Sequence, residues 1–106
     1  MKSLEFIGSS LPDLRRFSVE ARRAAGFELW QVQSGFMPSD FKPMLNVGRG
    51  AYEIRIRVQG QWRVIYVARF SESIYVLHAF QKKTQKTRKE DIELARRRYR
   101  QIEEKS

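Results

Sequence analysis

The spacing of apolar positions changes several times along the chain, and each change marks the border of an element. Ser3-Leu4-Glu5-Phe6-Ile7 is short, mixes β-branched and aromatic residues and stops at Gly8, which predicts a first strand at a sheet edge. Ser9 or Ser10 can then cap a helix, with Pro12 tolerated in its first turn and Asp13 suited to the positive end of its dipole. Leu11, Leu14, Phe17, Ala21, Ala24, Ala25, Leu29 and Val32 recur at spacings of three and four. One helix, or two broken near Ser18, should therefore run to about Gln33 with a single buried face. Arg15, Arg16, Arg22 and Arg23 fall mostly on the opposite face, Gly26 weakens the helix while permitting close packing, and Gly35 ends the pattern.

Residues 34–50 hold two of the three prolines and three of the six glycines, together with Phe36, Met37, Phe41, Met44 and Leu45, which predicts an ordered loop. A period of two follows. Tyr52, Ile54, Ile56 and Val58 alternate with Glu53, Arg55 and Arg57, as in a strand with one charged face. After a turn at Gly60, Arg63, Ile65, Val67 and Arg69 alternate with Trp62, Val64, Tyr66, Ala68 and Phe70; both sides are largely apolar, so this strand is central. Ile74, Val76, His78 and Phe80 then alternate with Tyr75, Leu77 and Ala79, leading into Lys82-Lys83-Thr84. Thr87-Arg88-Lys89-Glu90 has the pattern of a capping box opening a helix from Arg88 to about Glu103, with Ile92, Ala95, Tyr99 and Ile102 on its apolar stripe. The predicted order is β-α-α-β-β-β-α, an α+β fold in which a helical hairpin packs on a sheet.

Length allows one domain, residues 1–106, with a modest core. Charge changes the picture more. Lys and Arg number 21 against 12 Asp and Glu, a net +9, which favours nucleic acid, an anionic membrane or an acidic protein as partner. The excess is local: residues 1–48 carry six cations against five anions, residues 49–69 five against one, and residues 81–106 ten against five. The absence of cysteine removes disulfides and thiolate chemistry, and one histidine removes most zinc constellations. Without an apolar leader or a stretch of roughly 20 apolar residues, a soluble, cytoplasmic protein with no membrane role is expected.

Candidate chemistry is correspondingly narrow. No carboxylate pair, glycine-rich phosphate loop, Ser-His-Asp set or metal cluster can be assembled, so no metal or cofactor is expected. Metal-free chemistry on a phosphate is the natural enzymatic option. The plainer alternatives are that the strand arginines are solvated edge charges and that His78, a lone histidine among apolar neighbours, is structural.

The residues LWQVQSGFMPSDFKPM, then Gly48 and Gly50 ahead of YEIRIR, WRVIYVARF, and above all IYVLHAFQKKTQKT from Ile74 to Thr87, together make a chain that resembles the RelE/ParE superfamily of toxins of type II toxin-antitoxin modules. The resemblance is to the HigB-like branch, related to phage-derived proteins, and covers nearly the whole chain. It implies a RelE-like fold with a small twisted, mainly antiparallel sheet, and ribosome-dependent endoribonuclease activity on messenger RNA. In such enzymes the RNA's own 2′-hydroxyl attacks the adjacent phosphate without a metal.

Carried over by position, the resemblance implies that Arg55 and Arg63 lie at the scissile phosphate and that Lys82 and Lys83 stabilise the transition state or protonate the leaving oxygen. His78 is an acid-base candidate and Phe80 would stack on a base. Arg57, Lys86, Arg96, Arg97, Arg98 and Arg100 would hold RNA phosphates. Glu53 stands where some relatives place lysine, which leaves the general base unassigned, and Arg88 stands where close relatives often have proline. The implied partners are a helix-turn-helix antitoxin, the ribosome with its messenger RNA, and operator DNA only through the antitoxin. Two other readings keep the fold: a ParE-like gyrase-binding toxin, and a catalytically inactive phage-derived binding module.

Overall fold

A computed structural model describes residues 1–105. Along the chain lie β1 (Ser3–Phe6), α1 (Ser10–Arg15), α2 (Val19–Gln33), β2 (Phe41–Pro43), β3 (Ala51–Arg57), β4 (Gln61–Val67), β5 (Ser73–Gln81) and α3 (Lys89–Lys105). The strands form one mixed sheet in the order β1-β5-β4-β3-β2. β1 runs parallel to β5, and the other three pairings are antiparallel. The protein is thus α+β, with the sheet between α1 and α2 on one face and α3 on the other.

The element order gains one strand over the expected order. Phe41, Lys42 and Pro43, read as loop, pair with Ile54, Glu53 and Tyr52. Only three residues long and containing proline, β2 carries no alternation that could reveal it, and a sheet edge tolerates the missing N–H of Pro43. The helical region is broken at Ser18, whose side chain accepts a hydrogen bond from the Ala21 N–H and caps α2. Ser9 precedes α1 without capping it and gives its hydroxyl to Asp13 Oδ2 at 2.8 Å. The capping box also fails to form, because Thr87 donates its hydroxyl to Glu53 Oε2 at 2.7 Å and the helix begins at Lys89.

Each sheet face has its own core. Leu14 of α1, Phe17 between the two helices, and Ala21, Ala25, Leu29 and Val32 of α2 pack against Ile54, Ile56, Trp62, Val64, Tyr66, Ile74 and Val76. Across the sheet, Ala95, Tyr99 and Ile102 of α3 pack on Ile65, Val67 and Leu77, with Met44, Val47 and Ala51 closing the side. Gly48 lets this second core close: a Cβ there would lie 2.7 Å from the Tyr99 ring, whose hydroxyl donates to the Arg49 carbonyl at 2.6 Å.

β5 departs from the expected alternation. His78 is opposite Ile65 and Val76 opposite Tyr66, so Leu77 is an extra residue in the strand. This bulge turns both Leu77 and His78 towards α3, and from there onward the two faces exchange: Ala79 joins the first core, while Phe80 packs with the second.

Candidate functional site: a cationic sheet face with a lysine hook

α3 covers only part of its sheet face, and the strands extend beyond it. On that exposed end the register places Arg55 of β3 opposite Arg63 of β4, and Arg63 opposite Phe80 of β5. Side chains directly opposite on antiparallel strands stand about 5 Å apart at Cβ, and two like charges there are destabilising. The sheet keeps them with two carboxylates. Asp40 reaches Arg55 and Arg57 at 3.7 Å each, and its carbonyl accepts the Arg55 N–H at 2.9 Å.

The second carboxylate, Glu53, is 1 % exposed, and Oε1 lies 3.8 Å from Nε of the buried Arg63. With Thr87 bonded to its other oxygen, Glu53 joins the floor of the site to the segment that enters α3. Arg63 also donates through Nη1 to the Trp62 carbonyl (2.9 Å) and through Nη2 to Gln61 Oε1 (3.3 Å). Its Nε is buried with no hydrogen-bond partner among the described residues. Burial lowers the Arg63 pKa, while Glu53 opposes the shift; an arginine keeps its proton regardless.

Beyond β5 the chain bends into a hook, held at its base by the Lys82 N–H on the Gln61 carbonyl at 2.7 Å. Burial, then Arg63, hold the Lys82 ammonium below the usual lysine range, with Arg55 and Lys42 adding to the shift and Glu53 opposing it. A cleft of about 380 Å³ is lined by Lys42, Glu53, Arg55, Lys82, Lys86 and Thr87 among others. A second of about 330 Å³, lined by Phe80, Lys82, Lys83, Thr84 and Arg88 among others, flanks the hook.

The sequence candidates divide accordingly. Arg55, Arg63, Phe80, Lys82, Lys83 and Lys86 lie on this face or on the hook, with the exposed Arg57 at its rim. His78 lies beneath: its ring is buried, stacks on Phe80 at 4.7 Å, and has Nε2 2.7 Å from Asp91 Oδ1. Burial lowers the histidine's pKa more than Asp91 raises it, so this contact is a neutral imidazole donating to a carboxylate. Its Nδ1 is buried without a partner among the described residues.

Arg98, expected to hold phosphate, points inwards instead: it is buried and donates to the Leu77 carbonyl (2.8 Å) and Ser9 Oγ (3.0 Å). A helical arginine run looks uniformly solvated in sequence, but the bulge at Leu77 offers this one a carbonyl. Arg96 caps the Asn46 carbonyl at 2.8 Å, and Arg97 and Arg100 are exposed on α3. Sequence reasoning missed Lys42, Asp40 and Thr87. Lys42 sits in the unrecognised β2, and the Thr87 contact with Glu53 spans 34 residues, beyond any local pattern.

Fold and site together define a small basic α+β protein whose arginines and lysines converge on one end of a sheet face and on the hook beside it. Residues 12–100 match the family model described as Phage derived protein Gp49-like (DUF891), and the chain belongs to that family, one of RelE-like, toxin-like character. No curated protein matches the sequence. No helix among the described residues is long and apolar enough to cross a membrane.

Proposed function

We propose that this chain is the toxin of a type II toxin-antitoxin module, a metal-independent endoribonuclease that cleaves messenger RNA on the ribosome and is neutralised by a helix-turn-helix antitoxin. The observation that carries the reading is the Arg55–Arg63 pair, two like charges held opposite each other beside Lys82, a positive excess that Asp40 and Glu53 offset in part and an anionic ligand would offset further. In the reaction the 2′-hydroxyl gives its proton to water and its oxygen forms a bond to the adjacent phosphorus as the bond to the 5′-oxygen breaks. The products are a 2′,3′-cyclic phosphate and a 5′-hydroxyl. Arg55 donates to the non-bridging oxygens as their charge grows, with the buried Arg63 adding its positive charge from beneath, and Lys82, its pKa depressed, gives the proton to the departing oxygen. Glu53, buried and already bonded to Thr87, positions Arg63 rather than taking the 2′ proton. Phe80 offers a ring for base stacking, and Arg57, Lys83 and Lys86 hold flanking phosphates.

Arg63→Ala alone would confound chemistry with folding, since it strands Glu53 without its counter-charge. The cleaner test pairs Lys82→Ala/Lys83→Ala with Arg63→Met/Glu53→Leu, which removes both buried charges together. Each variant should fold, fail to arrest growth and leave transcripts intact on translating ribosomes. Full activity of both would refute the assigned site. Growth arrest by the unaltered protein with intact transcripts would instead favour a gyrase-binding toxin.

A further inference from the structure

The segment between α2 and β2 ties the cationic face to a helix on the other side of the sheet. Glu28 of α2 has both carboxylate oxygens engaged by one residue: Oε1 accepts the Ser39 N–H at 2.8 Å and Oε2 the Ser39 hydroxyl at 2.9 Å. Gln31, one turn further along the helix, donates to Oε1 at 3.3 Å and steadies the carboxylate. The residue after Ser39 is Asp40, whose carbonyl accepts the Arg55 N–H. Its carboxylate is divided between two guanidinium groups, Oδ1 facing Arg55 and Oδ2 facing Arg57. These arginines are two residues apart on one face of β3, about 6–7 Å along the strand, and one carboxylate spans both.

Stability does not account for this chain of contacts. α2 packs through Ala21, Ala25, Leu29 and Val32, whereas Glu28 is partly exposed, and surface ion pairs such as those of Asp40 contribute little. What they fix is direction, because an arginine head on its flexible stem has many rotamers to lose. Ser39 is held just ahead of Asp40 and the Arg55 N–H holds it just behind, so its carboxylate has a set position. We propose that Glu28 is a positioning residue for the reaction: through Ser39 it holds Asp40, and Asp40 aims Arg55 at the scissile phosphate and Arg57 at a flanking one. This role rests on the nuclease reading given above. Asp40 also acts against binding, since its charge opposes an incoming phosphate, so its removal separates affinity from turnover.

Two measurements on each variant test it: kcat and KM for transcript cleavage on translating ribosomes, and affinity for a single-stranded RNA methylated at every 2′-oxygen, which has no nucleophile and cannot be cut. Glu28→Ala should lower kcat about tenfold with circular dichroism unchanged. Glu28→Gln, whose amide can still accept the Ser39 N–H and donate to its hydroxyl, should recover most of that loss. Asp40→Asn should lower kcat to a similar degree yet bind the methylated RNA about threefold more tightly, opposite signs that a loss of folded protein does not produce. Full kcat in Glu28→Ala, equal loss in the alanine and glutamine variants, or no gain in RNA affinity by Asp40→Asn would overturn the proposal and leave the nuclease standing. No cleavage by the unaltered protein would instead overturn the nuclease reading, and this role with it.

Discussion

Arg63 holds its charge where water hardly reaches, so the few groups around it govern what it does to stability. Removing Glu53 alone, as Glu53→Leu, should cost about 3–5 kcal/mol because the guanidinium is left buried and uncompensated. The double variant Arg63→Met/Glu53→Leu should recover most of that loss, and denaturant unfolding of the three proteins would check it. His78 gives a pH prediction with a definite sign. Its folded pKa lies below the unfolded value through burial, with Asp91 and Asp13 pulling up and Arg98 pulling down. Below about pH 6.5 the unfolded chain therefore takes up a proton that the native state refuses, and stability falls as pH falls towards the depressed folded value. Melting temperature against pH should show this decline in the unaltered protein and not in His78→Gln. Neither behaviour is legible in the sequence: alternation places Glu53 on a charged outer face and His78 beside Phe80 as a candidate acid, whereas their partners, Thr87 and Asp91, are supplied by the segment 13 or more residues away.

At the scale of elements, periodicity exposes what repeats and conceals what does not. The three long strands, the helical stripes and the break at Ser18 follow from spacing, because each buries several residues at a regular interval. β2 is too short to repeat, and the Leu77 bulge leaves an apolar run that reads equally well in either register. From this bulge onward the alternation drawn from sequence assigns the wrong faces, which is why His78 was expected to align with Val76 and instead faces α3. Gly26 belongs to the same scale. Since a methyl group there meets open space, Gly26→Ala should stabilise the protein by about 0.5–1 kcal/mol, visible as a raised melting temperature; an unchanged or lowered one would count against it.

For the molecule as a whole, the uneven charge is the feature that sequence conveys best, since counting needs no contacts. What counting cannot give is direction: of the arginines in α3, Arg98 is spent inside and Arg96 on a carbonyl, while the strand arginines and the hook converge. If the scissile phosphate and three flanking ones on Arg57, Lys83 and Lys86 are neutralised, log K for single-stranded RNA should fall with log salt at a slope of about −2.8. A titration across salt concentrations measures it, and a slope near zero would show that these cations do not meet the backbone.

The parallel pairing of β1 with β5 also sets a schedule. Ser3 meets Ser73, Lys2 holds the carbonyls of Ala68 and Phe70, and Ser9 receives Arg98 from α3 across 89 residues. Contacts so distant in sequence form late, and Glu53 gains Thr87 only after the hook has been made. A nascent chain therefore cannot complete this face before Thr87 has emerged. Under the proposed activity, the machine that makes the protein is spared until α3 has emerged and closed on the sheet.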